Sequence, residues 1–395
     1  MLSIARISDA SLTSAENFLD EARTFSSLCT VESDDLSRPV YGLLGLPVDA
    51  VNFTVLSRSM DSVTRHPAPF LISTANVNFL VKSLTNEAFR ESVLSSDLSL
   101  ADGMPLIWMA KLLRVPIHER VAGADLFVRL KLVGAAGRCL KVFLLGGTPG
   151  LAEKVSERLN AEPCGLQCVG VLNPGFGTIE EMSGDAVIEA INSSGADLLA
   201  VFFSAERAQQ WLMHNHWRLK PPVRAQFGAT INFEAGTVKR APAFLRSTGF
   251  EWLWRIKEEP HLWRRYWSDG RALLKLLATS VIPLAVVARR RERESRFLTI
   301  QRDDESSSVT LRLSGSATSG YVDLAAGHFR AALAAEKHVK LCLKDATTID
   351  PRFFGLLLML RKSLARLGKR LVVTGVSSRL RRMFQLNRFE YLLES

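Results

Sequence analysis

The sequence is poor in cysteine and lacks the residue spacings of a metal site. Its five cysteines are scattered along 395 residues: Cys29, Cys139, Cys164, Cys168 and Cys342. The pair at positions 164 and 168 has no second Cys or His pair at ligand spacing, and neither an HExxH segment nor a Ser-His-Asp arrangement is evident. We therefore expect reduced thiols in a reducing compartment, no metal and no cofactor.

Long apolar runs are also scarce. None follows the first charge near the N-terminus, so we expect no secretory signal. The most apolar window, residues 272–288, is about 17 residues long, the lower limit for a bilayer span, and it contains Lys275 and Pro283. Three interpretations stay open: a helix packed on protein, a segment lying in the plane of a membrane surface, and a true span.

The overall composition is that of a folded protein with an anionic partner. Hydrophobic residues make up 47% and charged residues 23%, which excludes a disordered or collagen-like chain. The length predicts two or three domains. The formal net charge of +10 indicates nucleic acid, anionic lipid or a phosphorylated substrate as the partner.

Apolar runs that alternate with helical patterns predict an α/β fold. Residues 1–40 are polar and read as a loosely ordered lead. Residues 41–250 contain buried-strand patterns such as CLKVFLL and ADLLAVFF, each followed by an amphipathic helix. This pattern predicts a Rossmann-like parallel sheet covered on both faces. Residues 297–395 repeat it on a smaller scale, with QRDDESSS as a hydrophilic turn, and form a second, small α/β domain.

Residues 251–296 form a basic, tryptophan-rich helical appendage and linker. They hold eleven Lys and Arg against six Asp and Glu, together with four of the seven tryptophans. Interleaved cations and aromatics suit a lipid headgroup surface or single-stranded nucleic acid. A solvated basic helix whose tryptophans pack on the main domain is the third interpretation.

Polar side chains stand at two predicted strand-to-helix junctions. Thr74 and Asn76 end the strand in PFLISTANV, and Asp102 lies in SLADGMPL. In parallel sheets the ligand crevice opens at the carboxyl ends of the strands, where an aspartate can act as general base. Alternatively, Asp102 forms the turn and the other two cap a helix. Glu119, Arg120 and Asp125 follow, as a capping network or as a substrate clamp.

Two further segments suit a phosphorylated substrate. The Gly146-Gly147 turn follows a predicted strand, and its N–H groups can hold a pyrophosphate, although it matches neither GxGxxG nor a P-loop and also fits a simple tight turn. Cations cluster later in the chain: Lys239, Arg240, Arg255, Arg264 and Arg265. Guanidinium groups match phosphate oxygens. No DxD pair, the usual metal signature of many sugar-nucleotide enzymes, follows a strand.

These segments together resemble the WecG/TagA/CpsF family of bacterial glycosyltransferases over residues 40–270. The resemblance is carried by Thr74-Ala-Asn76, LADGMPLIWMAKLLRVPIHERVAGADL, VFLLGGTPGLAEKV, AGTVKRAP and GFEWLWRIKEEPHLWRRY. It implies an inverting, metal-independent transfer from a UDP-sugar to a polyprenyl-diphosphate-linked acceptor at the cytoplasmic membrane face. The donor would carry N-acetylmannosamine, its uronic acid or a hexose, for a surface polysaccharide.

The resemblance also assigns roles. Asp102 matches the family's proposed general base, with Thr74 and Asn76 as companions. The arginines at 255, 264 and 265 match an appendage that contacts the membrane and closes over the diphosphate.

Two positions depart from the family pattern. The family usually has G-x-P-K-Q-E-x-W where this chain has residues 204–211, so its Gln-Glu pair is replaced by Ala208 and Gln209. The family's Phe-Asp before AGTVKRAP is Ile231-Asn232 here. Gln209 and Asn232 therefore become the candidate donor contacts. The loss of acidic groups motivates an alternative function, a catalytically degenerate sugar-nucleotide-binding regulator.

The last hundred residues resemble a STAS domain. The family's phosphorylatable Asp-Ser-Ser-Gly motif reads Asp350-Pro351-Arg352-Phe353 here, which removes the acceptor serine. We expect a docking module for an unknown protein partner, with Phe353 or Phe354 either exposed as a partner contact or packed in the core. Our main hypothesis is a peripheral membrane glycosyltransferase on the inner face of the bacterial cytoplasmic membrane, and we expect no nucleic-acid partner.

Overall fold

The computed structural model describes residues 34–65, 68–134, 137–161, 165–291 and 297–393. The expected loose lead therefore lies mostly outside the described residues. Its last part is described, and there the expectation was wrong. Residues 35–37 form a 3-10 turn, and the chain enters a hairpin of β1 (Val40–Leu43) and β2 (Leu46–Asp49). Asp35 and Arg38 are buried in ion pairs that the polar sequence did not indicate.

A six-stranded parallel sheet forms the core of the larger domain. Its strands are β3 (Phe70–Ala75), β4 (Leu98–Ala101), β5 (Leu140–Gly146), β6 (Leu166–Leu172), β7 (Leu198–Phe202) and β8 (Val223–Gln226), in the order β4-β3-β8-β7-β5-β6. All five residues of β7 are buried, as expected for a strand covered on both faces. The predicted Rossmann-like sheet is confirmed.

Helices cover both faces of the sheet. They are α1 (Phe53–Thr64), α2 (Val77–Ser83), α3 (Glu87–Leu94), α4 (Met104–Leu112), α5 (Gly123–Val133), α6 (Leu151–Ala161), α7 (Asp185–Ser193), α8 (Ala205–His214) and α9 (Thr230–Glu234). Separate apolar clusters line the two faces of the sheet. One contains Leu144 and Ala200, and the other contains Leu145 and Val201. This alternation along each strand fits a sheet that is covered on both faces.

The basic appendage is helical. The short helix α10 (Ala243–Ser247) precedes it. The appendage consists of α11 (Glu251–Glu258), α12 (Trp263–Leu276), a π-helical turn at Leu277–Val281 and α13 (Ile282–Arg291). Within it, Pro260–Ala288 is one continuous stretch that is long and apolar enough to cross a membrane by length and composition. Asp269 accepts a hydrogen bond from Asn78 Nδ2 at 3.1 Å and ties α12 to α2.

The C-terminal domain is a four-stranded mixed sheet with helices. Its strands are β9 (Thr299–Asp304), β10 (Ser308–Ala317), β11 (His338–Ile349) and β12 (Leu371–Thr374), and its helices are α14 (Val322–Leu333), α15 (Pro351–Arg366) and α16 (Ser378–Leu386). The small α/β fold is confirmed. The segment Gln301–Asp304 is strand β9, antiparallel to β10, and not the expected turn. Cross-strand ion pairing with Arg312 satisfies Asp303 there.

A buried network of charges joins the two domains. It contains three aspartates and three cations: Asp35, Asp49, Asp97, Arg38, Lys362 and Arg366. All are buried except Arg366, which is exposed at the edge of the network. Lys362, on α15 of the C-terminal domain, lies 3.0 Å from Asp97 and 3.2 Å from Asp35. The opposite charges are equal in number, so the network avoids an unpaired buried ion, which would cost several kcal/mol.

The network has a defined pH dependence. Burial by itself would raise the pKa of Asp97, but Lys362 and Arg366 lower it to about 2. A carboxylate with a depressed pKa stabilises the fold above the unfolded-state value of 3.8 and loses that contribution as the pH falls towards 2. The domain interface is therefore acid-sensitive and stable at neutral pH.

Apolar contacts complete the interface. Phe353 and Phe354 are both fully buried, so of the two alternatives left open by the sequence the structure shows packing in the core. Within the C-terminal domain Phe354 stacks on Phe389 with ring centroids 4.7 Å apart, and both side chains lie against Gly42 of β1. A Cβ at Gly355 would lie 2.0 Å from the carbonyl oxygen of Val40, so only glycine lets β1 approach α15 this closely.

Removal of the Lys362 ammonium tests the network. We expect Lys362→Met to lower the free energy of unfolding by about 3–5 kcal/mol, because it leaves Asp35 and Asp97 short of a cation. Urea denaturation measures the change. Arg370→Gln, an exposed change in the same domain, should stay within about 0.5 kcal/mol of the wild type. Equal stability of both variants would contradict the role of the network.

Candidate active site

Asp102 lies at the carboxyl end of β4, next to the end of β3. Its backbone N–H donates to the carbonyl oxygen of Ala75 at 2.7 Å, which continues the pairing of the two strands by one residue. The side chain is half-buried, and the N–H of Gly123, the first residue of α5, donates to its carboxylate. The predicted strand-to-helix junction thus holds a carboxylate at the edge where ligand crevices open.

The surroundings of Asp102 give it an unusual protonation equilibrium. Burial raises its pKa to about 7, and the negative charges of Glu251 and Asp125 add to the rise, whereas Arg120 opposes it. A carboxyl group with a pKa near the working pH exchanges protons efficiently. Strongly shifted pKa values in a crevice are typical of functional sites.

Asp125 is the centre of a cluster of arginines beside Asp102. It forms ion pairs with Arg120, Arg240 and Arg246, the last at 3.0 Å. Arg120 also pairs with Glu251 of α11 at 3.1 Å. The cluster links α5, the loop at 235–242 and the start of the appendage. Arg120, Arg240 and Asp125, which the sequence singled out, are therefore brought together as one ion-pair network.

Thr74 and Asn76 lie at the neighbouring strand end but are engaged differently. Thr74 is buried, and its Oγ1 accepts a hydrogen bond from Gln226 Nε2 at 2.8 Å. Asn76 caps α2, because its side chain accepts from the N–H of Phe79 at 3.2 Å. The sequence left two roles open for Asn76, a helix cap and a residue of the ligand crevice. In this structure its side-chain oxygen caps α2.

The glycine turn follows β5 on the other side of the sheet. Gly146 and Gly147 have φ values of 90° and 91°. A Cβ at Gly147 would lie 2.8 Å from Ile231 Cδ1, so the turn packs closely against α9. Asn232, the next residue of α9, is half-buried beside this turn. The turn and Asn232 therefore share one end of the sheet with Asp102.

Gln209 was wrongly expected to contact substrate. It is fully buried, and its Nε2 donates to Ser73 Oγ at 2.7 Å and to the carbonyl oxygen of Ser92 at 3.0 Å. Ala208 is also fully buried and belongs to an apolar cluster with Trp211. Both altered positions of the family motif thus lie on the buried face of α8, and their side chains do not reach solvent.

The side chains of two remaining candidates, Arg255 and Glu119, are held by other contacts, whereas Lys239 is bonded through its backbone. Arg255 is buried, pairs with Glu259 at 2.6 Å and lies over the ring of Phe233, so it stabilises α11 and is not open to a diphosphate. Glu119 accepts the N–H of Phe53 at 3.1 Å at the start of α1. Lys239 is exposed, and its backbone N–H donates to Glu258.

Arg264 and Arg265 remain available at the surface. Both are exposed on the first turn of α12. Their guanidinium groups lie over their neighbours Trp263 and Tyr266, with centroid distances of 5.7 and 4.9 Å. Within the described residues no carboxylate pairs with either side chain. They are the cations of the appendage that a diphosphate could reach.

The sequence analysis missed three residues of this region: Gln226, Arg246 and Glu251. Gln226 ends a predicted buried strand, so a polar residue at that strand end was a usable signal. Arg246 and Glu251 gave no local signal because their partners, Asp125 for Arg246 and Arg120 for Glu251, are more than a hundred residues away in the chain. In the described ranges no group of three or more His, Cys, Asp or Glu side chains is arranged to hold a metal ion. Cys139, Cys168 and Cys342 are free thiols there.

Comparison with known proteins identifies the family of each domain. Residues 41–284 match the model of the glycosyl transferase WecG/TagA/CpsF family, and residues 300–394 match that of the Mlab, STAS domain. The chain is similar to the N-acetylglucosaminyldiphosphoundecaprenol N-acetyl-beta-D-mannosaminyltransferase of Bacillus spizizenii strain W23, with 28% identity over 207 residues, 52% of this chain and 78% of the relative. It is 25% identical to the Bacillus subtilis strain 168 protein of that name over 209 residues, with the same coverage.

Asp125 offers a test of the ion-pair network. We expect Asp125→Asn to loosen residues 235–251, because three arginines lose their shared carboxylate and repel one another. Limited proteolysis should then cut the loop at least several-fold faster than in the wild type. Asp185→Asn, which removes an exposed carboxylate paired with Arg218, serves as the matched control. An unchanged cleavage rate in Asp125→Asn would show that the cluster does not hold the loop.

Proposed function

The chain belongs to the WecG/TagA/CpsF family of glycosyl transferases, and on that premise we propose that it is an inverting enzyme acting on a lipid-linked acceptor. The donor is a UDP-sugar carrying N-acetylmannosamine, its uronic acid or a hexose. The acceptor is a polyprenyl-diphosphate-linked sugar, the substrate type named in the curated relatives, and the product enters a surface polysaccharide.

The observation that carries this proposal is Asp102 at the carboxyl end of β4 with a pKa raised to about 7. In its deprotonated form it takes the proton from the acceptor hydroxyl. The hydroxyl oxygen then attacks the anomeric carbon from the face opposite UDP, and the bond between that carbon and the diphosphate oxygen breaks. General-base assistance of this kind contributes roughly 10²- to 10⁴-fold.

Negative charge develops on the leaving diphosphate, and nearby positive groups stabilise it. The proposal gives this task to Arg264, Arg265 and Lys239, which are exposed, and to the N–H groups of the Gly146-Gly147 turn. Arg120 and Arg240 then act as positioning residues, because Asp125 already pairs with both. Asn232 lies beside the turn as the remaining candidate for a donor contact. In this mechanism these groups, and not a divalent metal, neutralise the charge of the diphosphate.

The membrane part of the proposal rests on the outer face of the appendage. Large apolar side chains are exposed along the stretch Pro260–Ala288: Trp263, Trp267, Leu274, Ile282 and Val286. The opposite face, with Leu276, Val281 and Leu284, is buried against protein. A helix with one face on protein and one apolar face outward suits a position in the plane of the membrane surface. This favours a peripheral location over a span, on the inner face of the cytoplasmic membrane.

The appendage is close enough to the site to present a lipid-linked acceptor. α12 is bonded to α2, which starts next to Asn76, through Asn78 and Asp269. Gly249, just before α11, approaches Trp108 of α4 so closely that a Cβ would lie 2.4 Å from the indole ring. α4 follows directly after Asp102, so the membrane-facing surface and the proposed base are connected by adjacent helices.

The regulatory alternative is less well supported. It was motivated by the changes at Ala208, Gln209 and Asn232. The first two residues lie on the buried face of α8. A substitution there alters the packing of the core and need not remove a contact with the donor. Asp102 and its surrounding charges are kept, and a binding protein without catalysis has no need of a carboxyl group with a pKa near 7.

Transfer assays with Asp102→Asn test the enzyme assignment. We expect turnover with one member of a UDP-sugar panel and a polyprenyl-diphosphate-linked acceptor, and a 10²- to 10⁴-fold loss in the variant with an unchanged melting curve. Asp185→Asn is the control for loss of an exposed carboxylate. An active Asp102→Asn enzyme would refute the role of the base, and binding of UDP-sugars without turnover would favour the regulator.

The pH profile gives a second test. Because the deprotonated form of Asp102 is active, kcat/KM should rise with pH and level off above about pH 7. Glu251 raises this pKa, so Glu251→Gln should shift the rising limb to lower pH. The profile of each protein is measured with the same donor and acceptor. A limb that stays in place, or moves to higher pH, would contradict the electrostatic assignment.

A further inference from the structure

The chain that follows α16 makes a tight turn against the long appendage helix. Arg388, two residues after α16, donates from Nε to Ser280 Oγ and from Nη2 to Thr279 Oγ1, both at 3.0 Å. Both acceptors lie in the π-helical turn, and Ser280 is fully buried. Arg388 has a backbone φ of 62°, a region that non-glycine residues rarely adopt and keep only where their surroundings hold them. The turn therefore presents the guanidinium group at a fixed position.

The same turn is attached to the hairpin of the larger domain. Tyr391 Oη donates to the carbonyl oxygen of Gly45, between β1 and β2, at 2.9 Å. A Cβ at Gly45 would lie 2.9 Å from the carbonyl oxygen of Arg388, so the two turns are in close contact. Arg90 of α3 lies over the Tyr391 ring, 4.2 Å from its centroid, in a cation–π contact. The end of the STAS domain is thus held by the larger domain on one side and holds the appendage on the other.

Apolar packing extends this contact along the appendage. Val281 and Leu284, on the protein-facing side of the helix, are buried in one cluster with Leu44 and Leu46 of the hairpin, and Leu386 of α16 packs against that cluster. Burial of these side chains opposes separation of the three elements. The far end of the long helix therefore lies between the hairpin and the STAS domain.

Two separate points fix the direction of the appendage. One is the Asn78–Asp269 hydrogen bond in the middle of α12, and the other is the contact at Ser280, about 16 Å further along the helix. Without the STAS contact the far end keeps only its packing on the hairpin. Arg264 and Arg265 lie about one turn on the other side of Asp269, so a tilt of about 10° around that residue would move them by about 1 Å. A misplacement of this size can reduce a rate about 10²-fold.

We propose that the STAS domain is an internal brace for the appendage, in which Arg388 is a positioning residue that sets the place of α12 and its two exposed arginines. The inference rests on the function proposed above and gives the C-terminal domain a part in it. The partner of the surface at the end of α16 is then this chain's own appendage, through the hydroxyl groups of its π-helical turn. Because Arg388 is bonded to Ser280 and Thr279, it acts on transfer only through the placement of the helix.

Hydrogen exchange of the full chain tests the brace without any substrate. Arg388→Met keeps a long side chain and removes its donors. The amides of residues 277–284 should then exchange roughly tenfold faster, because hydrogen bonds from a charged donor are lost, while those of β7 exchange as in the wild type. Arg382→Met, which changes an exposed arginine of α16, is the matched control. Equal exchange in the two variants would overturn the inference.

A change on the appendage side excludes a folding defect of the STAS domain as the cause. Thr279→Val combined with Ser280→Ala removes both acceptors and leaves Arg388 in place. This variant should reproduce the faster exchange, and its effect should not add to that of Arg388→Met, because both changes remove the same interaction. Full additivity would show that the groups act independently and would contradict the brace.

Transfer assays test the consequence for the proposed reaction. With a UDP-sugar and a polyprenyl-diphosphate-linked acceptor, Arg388→Met should lower kcat roughly 10- to 100-fold, since Arg264 and Arg265 are displaced from the diphosphate. In a chain that already carries Arg264→Gln and Arg265→Gln, the same change should have little further effect. A loss of folded enzyme would instead lower the rate by the same factor in both backgrounds, and that result would refute the positioning role.

The outcomes separate this inference from the proposed function. If the wild type transfers no sugar, the proposed function and the positioning role within it both fail, and the exchange experiment still decides whether the STAS domain holds the appendage. If transfer occurs and Arg388→Met keeps the wild-type kcat, the positioning role alone is overturned.

Discussion

The buried charge network between the domains is the constraint on which the rest of the structure depends. Lys362 of α15 meets Asp35 and Asp97 of the larger domain where all three side chains are buried, and the exposed Arg366 pairs with the same two aspartates from the edge of the interface. Separation of the domains would leave these charges unpaired or require their hydration, so the two domains hold one arrangement. Asp97 also accepts the N–H of Leu71 at 2.9 Å, which fixes the start of β3 and β4. Asp102 lies at the other end of β4, five residues and about 16 Å from Asp97 along the strand.

Much of the fold could be predicted because it depends on local patterns. The buried runs that became β5 and β7, and the amphipathic pattern of α15, carry the information for strand and helix within ten to sixteen residues. The segment at Asp35 and Arg38 could not be predicted in this way. Its polar residues look like a solvated lead, and the partners that make it ordered lie more than three hundred residues away at Lys362.

The sequence predicted where in the sheet the site lies, but not in which direction each side chain points. The strand ends at Thr74 and Asp102 follow from the parallel sheet, and the structure brings them together with Arg120. A motif alignment gave Gln209 a place in the sequence but no direction, and the helix turns its side chain inward to the serines. The direction of the Arg255 side chain was likewise not predicted. Glu259, one helical turn later, binds its guanidinium group. A cation one turn before a glutamate on a helix is a signal for this outcome.

The π-helical turn at Leu277–Val281 determines the shape of the outer surface of the long helix. Trp263 and Val286 are 23 residues apart, and a regular α-helix would place them about 140° apart around its axis. The wider turn accommodates about one extra residue and takes back about 100° of that rotation. The two halves of the helix therefore present their large side chains on a single side. A one-residue deletion that turned this segment into regular α-helix would leave the side chains of Trp263 and Val286 about 40° apart over 22 residues. The turn therefore absorbs one residue of chain length without rotating the apolar side of the helix.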